Sequence, residues 1–211
     1  MSKEIAQHIA SGLLQIKAIK LNITNPFTWA SGWKSPIYCD NRISLSHPEL
    51  RDYIKESFAK LIIENYPEVQ KIAGVATAGI AHGALVADLM KLPFVYVRGK
   101  AKEHGMGNLI EGEIHEGEKI VLIEDLISTG GSSLSSVEAL RGAGCEVLGM
   151  GAIFTYGFQK SVDAFAKSQC SLFTLTDYPV LIEIAVEKKY VQSNELESLK
   201  QWREAPEKWG V

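Results

Sequence analysis

The chain has 211 residues, of which 46% are hydrophobic and 22% charged, and a formal net charge of −3. This balance suits one globular domain and excludes a general binder of nucleic acid or membrane surface, which would need a basic face. Cys39, Cys145 and Cys170 form no C-x-x-C pair, which excludes a zinc ribbon and a disulfide framework, and Cys39 reads as buried filler.

The N-terminus, MSKEIAQHIA, lacks the apolar core of a signal peptide. Ile5, Ile9, Leu13 and Ile16 recur at helical spacing and predict an amphipathic helix. The following NITNPFTWASGWKSPIYCDNR is rich in aromatics, Ser, Pro and Gly. Pro26 and Pro36 bracket a pair of short strands there. Ser46-His-Pro-Glu49 reads as a capping box with Pro just inside a helix. Leu50, Tyr53, Ile54, Phe58, Leu61 and Ile62 form the apolar stripe of that helix, and Asn65 and Pro67 close it. Residues 72–90 are long and nearly uncharged, as a membrane span would be. Their three glycines, with His82 and Asp88, instead predict a buried strand, a turn and a helix. The protein reads as cytoplasmic, with no membrane or nucleic-acid partner.

Strands are expected at 70–76, 93–97, 119–124 and 145–155, and helices at 79–90, 130–143 and 158–168. A glycine-bearing loop runs from the strand at 93–97 to about 112, and residues 178–203 form two short helices. Apolar runs such as Ile120 to Ile123 lack alternation, which suits strands covered on both faces. Strand and helix in turn predict an α/β fold with a parallel sheet flanked by helices. The expected organisation is one domain, 1–211: a hood of a helix and small strands mainly in 1–45, a core over about 46–190 and a C-terminal helix at about 193–205.

The stretch VLIEDLISTGGSS, residues 121–133, carries the chemistry. Ligands of open α/β sheets sit beyond the carboxyl ends of the strands, where Glu124 and Asp125 fall. Ser128, Thr129, Gly130, Gly131 and Ser132 then lead into a helix whose first N–H groups can hold an anion. The hydroxyls of Ser128, Thr129, Ser132 and Ser133 add donors. The pattern predicts a monophosphate cradle, with the two carboxylates turned to sugar hydroxyls of the same ligand. A helix start with acids suited to its dipole is the plain structural alternative. No G-x-x-x-x-G-K-[ST] or helix-opening G-x-G-x-x-G occurs. Arg98, Lys100, Lys102 and His104 alternate in R-G-K-A-K-E-H-G. In an extended chain they share one side, as in a mobile lid over a leaving pyrophosphate; a solvated charged loop and an RNA patch are the alternatives, the latter weakened by the acidic balance and the lack of interleaved aromatics. His8, His47, His82 and His115 have no spaced partners and read as core or surface residues.

IVLIEDLISTGG resembles the phosphoribosyl-diphosphate signature of type I phosphoribosyltransferases. YVRGKAKEHGMGNLIEG resembles the catalytic loop of the orotate phosphoribosyltransferase family, with Arg98, Lys102 and His104 matching. FTWASGWKSPIYCDNR resembles the segment that covers the base in that family, with Ser31, Gly32, Lys34, Ser35 and Pro36 in its core. The resemblance implies transfer of phosphoribose from 5-phospho-α-D-ribose 1-diphosphate (PRPP) to orotate. It implies Lys102, His104 and Asp125 as catalytic residues. For PRPP it implies Arg98, Lys102, His104, Glu124, Asp125, Leu126, Ile127, Ser128, Thr129, Gly130, Gly131 and Ser132; for orotate, Ser128 and Tyr38; for pyrophosphate, Ala76, Thr77, Ala78 and Gly79. It also implies Mg²⁺ carried on substrate oxygens without direct protein ligands, and a homodimer in which Arg98, Lys102 and His104 act in trans. The chain departs from some members at Ala30 and Ala78, where they carry lysine, and at FTYGFQK, where they carry an arginine for the base. Competing readings are a transferase for another base and a regulatory protein that keeps the donor site without turnover.

Overall fold

The N-terminal segment forms helix α1 (Lys3–Gln15). Ile5, Ile9 and Leu13 are buried as their spacing predicts, and Ala6, Ala10 and Leu14 widen the apolar face. In this computed structural model, which describes residues 2–29, 32–99 and 109–209, two antiparallel ribbons follow. Strands β1 (Ile19–Leu21) and β4 (Ile37–Cys39) form one, and β2 (Phe27–Thr28) and β3 (Lys34–Ser35) the other. The strand pair expected between Pro26 and Pro36 is thus the inner of two nested ribbons.

A 3₁₀ turn, Asn41–Ser46, leads into α2 (Pro48–Asn65). The capping box expected from Ser46 and Glu49 does not form. Ser46 ends the 3₁₀ turn, and His47 takes the cap position without a side-chain bond. Its backbone N–H donates to the Ser44 carbonyl, and Pro48 brings no N–H that needs a partner. The stripe of α2 still faces inward: Leu50, Ile54, Phe58, Leu61 and Ile62 are buried.

The core is a six-stranded sheet of β5 (Lys71–Val75), β6 (Phe94–Val97), β7 (Ile110–Glu111), β8 (Lys119–Ile127), β9 (Glu146–Thr155) and β10 (Leu172–Asp177), in the order β10-β9-β8-β5-β6-β7. Between and after these strands run α3 (Ala78–Met90), α4 (Gly131–Gly142), α5 (Gln159–Lys167), α6 (Tyr178–Glu187) and α7 (Leu196–Glu204). Every neighbouring pair is parallel except β6–β7. Two strands therefore correct the sequence expectation. Strand β7 is a short antiparallel edge inside the segment read as loop. Strand β10 occupies a stretch where no element was expected, because an edge strand with few buried positions carries little apolar signal.

Strand β8 shows why its run lacks alternation. Val121 and Ile123 join the apolar cluster built with α1, α2, α3 and α6. Ile120 and Leu122 join the opposite cluster with α4 and Phe165 of α5. Successive side chains point to opposite faces, and both faces are covered.

The C-terminal helix closes the first cluster. Trp202 is fully buried, with ring centroids 5.6 Å from Trp29, 5.6 Å from Tyr156 and 5.3 Å from Tyr178. Its Nε1–H donates to the Lys34 carbonyl at 3.2 Å, tying α7 to the hood. Trp202→Ala is expected to destabilise the fold by about 3–5 kcal/mol in urea unfolding. A loss under about 1 kcal/mol would show that α7 is not part of the packed unit.

Candidate active site

Strand β8 runs three residues beyond its expected end, so Glu124 and Asp125 lie within it. Leu126 is half-buried. Ile127 is a core residue, and its carbonyl accepts from Thr155 Oγ1 at 3.2 Å and from the Tyr156 N–H at 3.2 Å. The loop proper is therefore Ser128 to Gly130. Gly130 has φ 81°, and a Cβ there would stand 2.9 Å from the Phe165 ring, so backbone conformation and packing both require glycine. Helix α4 begins at Gly131, where no atom would crowd a Cβ and the chain is exposed. Its first N–H groups have no carbonyl within the helix and open onto this space.

The two carboxyls are held differently. Glu124 is buried; its Oε2 accepts from Ser133 Oγ at 3.1 Å and its Oε1 from the Asp125 N–H at 3.0 Å. Ser133, expected among the anion donors, is instead buried and directed at Glu124. Asp125 is half-buried, and its carbonyl accepts from Asn41 Nδ2 at 2.7 Å. Asn41 is fully buried in the 3₁₀ turn; its Oδ1 accepts from Cys39 Sγ, and its carbonyl accepts from Ser44 Oγ at 2.6 Å. Sequence reasoning missed Asn41. The signal was an amide in a D-N-R run next to an aromatic segment, which needs partners if it is buried.

The four residues expected to bind pyrophosphate meet the same strand end. The Ala76 N–H donates to the Val97 carbonyl at 2.9 Å, Thr77 caps α3 with its hydroxyl unused for capping, and Ala78 and Gly79 form the first turn. A Cβ on Gly79 would collide with the Ile123 carbonyl and stand 3.2 Å from the Glu124 Cα. Glycine thus lets α3 start directly against β8, and two helix N-termini flank the carboxyl pair.

The hood supplies a wall. A cavity of about 380 Å³ is lined by Thr28, Trp29, Tyr38, Cys39, Leu126, Ser128 and Tyr156. Tyr38 and Ser128 therefore share one space. Cys39 packs against the core as its filler reading expects, but it is only half-buried and also lines this cavity, and burial pushes its thiol well above the ordinary value. Thr129 lies elsewhere, on a cavity of about 250 Å³ with Trp33, Phe158 and Arg203. The cationic loop is described only at its ends. Arg98 makes an ion pair with Glu111 at 3.4 Å across β6–β7, while Lys102 and His104 lie outside the described residues, as do Ala30 and Ser31. His82 takes the core place expected of it, with Nε2 3.4 Å from Ser44 Oγ.

Burial sets the protonation of these groups. It raises Glu124 from the ordinary 4.5 to about 8, and the Asp125 charge adds to the shift. Burial also raises Asp125, and it lowers His82 from 6.5 to about 4. Between about 4 and 6.5 the unfolded chain holds a proton that folded His82 lacks, so this group makes stability rise with pH. Folded Glu124 keeps a proton that the unfolded chain loses above 4.5, so it opposes that rise, and from 6.5 to about 8 its effect no longer meets that of His82. Asp40 and Asp52 are lowered from 3.8 and Glu118 from 4.5, and so act below this window. The ligand-free protein should therefore lose thermal stability from pH 6.5 to about 8, and Glu124→Gln should remove most of that fall. An unchanged slope in the variant would show that Glu124 is already ionised in the folded protein.

Residues 45–179 match the model of the phosphoribosyl transferase domain. The chain is 55% identical over 209 residues to an orotate phosphoribosyltransferase of Porphyromonas gingivalis, covering 99% of this chain and 100% of that protein. It is 56% identical over 206 residues to one from Listeria innocua, covering 98% and 99%. Among solved structures, the orotate phosphoribosyltransferase of Aeropyrum pernix is alike in fold, with a TM-score of 0.75 at 24% identity over 87% of this chain and 99% of that one. On the domain match and the near full-length identity together, the chain belongs to the phosphoribosyltransferase family, among its orotate phosphoribosyltransferases.

Proposed function

We propose that the protein transfers 5-phosphoribose from PRPP to orotate, giving orotidine 5′-monophosphate and pyrophosphate in de novo UMP synthesis. The observation that best supports this is the shared cavity, where Tyr38 of the hood meets Ser128 of the loop beside the carboxyl pair. A planar base against Tyr38 and a phosphate at the start of α4 would place the sugar between them, over Glu124 and Asp125.

The reaction breaks the bond from sugar C1 to the diphosphate and forms one from C1 to the base. Positive charge develops on the ring as the diphosphate leaves, so positioning and electrostatics can supply most of the acceleration. The N–H groups and hydroxyls of 128–132 grip the 5-phosphate, and Leu126 and Ile127 carry the strand into that loop. Glu124 and Asp125 hold the ribose hydroxyls, and the Asp125 charge favours the cationic ring. The segment Ala76–Gly79 receives the diphosphate at the start of α3. Arg98, Lys102 and His104 neutralise it, reaching the site from the partner subunit of a homodimer.

Glu124 and Asp125 offer hard oxygens of the kind Mg²⁺ prefers, and no cluster of three or more His, Cys, Asp or Glu suited to a metal gathers among the described residues. That donor set fits an ion carried mainly by substrate oxygens and water. When bound, Mg²⁺ lowers the negative charge of the diphosphate. No described helix is long and apolar enough to cross a membrane, and we place the enzyme in the cytoplasm. The hood (1–45), the core (46–190) and the C-terminal helix (193–205) act as one unit around this site.

Orotate's ultraviolet absorbance should fall when enzyme, PRPP and Mg²⁺ are combined; absence of turnover would refute the acceptor assignment. Lys102→Ala is expected to lower kcat by about 10²–10³-fold with a far smaller change in PRPP affinity. Mixing Lys102→Ala with Asp125→Asn subunits should restore one working site per mixed dimer. Verified subunit exchange without recovery would rule out action in trans.

A further inference from the structure

Among the described residues that line the Tyr38 cavity, none carries a positive charge. Orotate, the acceptor under the reading above on which this inference rests, is a pyrimidine carrying a carboxylate. A carboxylate drawn from water into a closed site needs a charged partner.

Three cations stand on the hood near this cavity. Arg42 is already engaged: its Nε and Nη2 donate to the two oxygens of Asp40 at 2.7 and 2.9 Å. Lys20 lies opposite Tyr38 in the β1–β4 ribbon, with no polar contact fixing its ammonium among the described residues. Lys34 differs from both. Its Nζ donates to Thr28 Oγ1 at 2.9 Å, and Thr28 is a wall of the cavity. Among the described residues it has no acidic partner, so a neutral hydroxyl holds it in place and leaves its charge uncompensated.

The backbone beneath Lys34 is fixed on three sides. Thr28 and Lys34 are partners in the β2–β3 register. The Lys34 carbonyl accepts from Trp202 Nε1–H. The next residue, Ser35, is fully buried and donates to the Ile37 carbonyl at 2.8 Å. A charge on such a base is preorganised for a ligand at the cavity mouth.

We infer that Lys34 is the specificity-determining cation of the acceptor pocket: its ammonium, steadied by Thr28, pairs with the carboxylate of the pyrimidine. It selects an anionic base over a neutral one of the same shape.

The test compares orotate with orotamide, in which a carboxamide replaces the carboxylate. With PRPP saturating, KM is measured for orotate and the inhibition constant for orotamide. Lys34→Met should cut the preference for orotate by about tenfold, through weaker orotate binding with orotamide binding held. Lys34→Arg should keep most of the preference, and Lys20→Met should keep all of it. A preference in Lys34→Met within about twofold of wild type, or equal weakening of both compounds, overturns the assignment. If Lys20→Met loses the preference, the cation is Lys20 and the inference falls. Failure of the wild-type enzyme to use orotate would instead strike the acceptor reading and take this inference with it.

Discussion

Two carboxyls sit at the end of a strand that is covered on both faces, and the surrounding structure is arranged around that placement. A carboxylate inside a protein is costly unless it is bonded or neutralised. Here the cost shows as raised pKa values, caused first by burial. Ser133 and the Asp125 N–H bond the Glu124 oxygens, while Asn41 holds the Asp125 carbonyl from the opposite side. The pair is thus fixed by the first turn of α4 on one flank and by the hood on the other. A ligand offering hydroxyls, or a developing positive charge, would relieve what burial imposes, so the ligand-free site favours the substrate that the proposed reaction supplies.

The rest of the site follows from where β8 ends. Gly79 allows α3 to start against the Ile123 carbonyl, and Gly130 turns the chain into α4 beneath Phe165. Two helix N-termini, each suited to an anion, therefore bracket the carboxyls. Under the proposed reaction their opposite charge preferences would separate the functions: phosphates at the helix starts, sugar over the acids. The hood adds an aromatic wall of the kind that the proposed planar base would need. Trp29 and Trp202 pack edge to face there, with Tyr156 and Phe158 beside them. Because Trp202 comes from the C-terminal helix, that helix meets the N-terminal hood behind the cavity lined by Tyr38.

Much of this was legible in the residues. The 3.6-residue spacing of Ile5, Ile9 and Leu13 predicts the buried face of α1, and the unbroken apolar run Ile120–Ile123 predicts a strand covered twice. Both are local rules, since a side chain's direction follows from its own backbone. The order of acids, small residues and helix likewise places a site after β8, because strand ends and helix starts have fixed chemistry wherever they occur.

Other features were decided only by the tertiary structure. Strand β7 pairs because β6 offers it an open edge, and β10 because β9 does; neither has a strong pattern of its own. Ser46 reads as a cap, yet the 3₁₀ turn before α2 claims it. Ser133 reads as a phosphate donor, yet the helix turns it onto Glu124. Asn41 stands 84 positions from Asp125, and Lys34 meets Trp202 from 168 positions away. Local spacing carries no information about such pairs. The sequence by itself determined the main strands and helices, β7 and β10 apart, and which segment bears the acids. Only packing, which brings distant segments within bonding distance, decided which neighbours orient those acids and where the Lys34 ammonium is held, on Thr28 of the cavity wall.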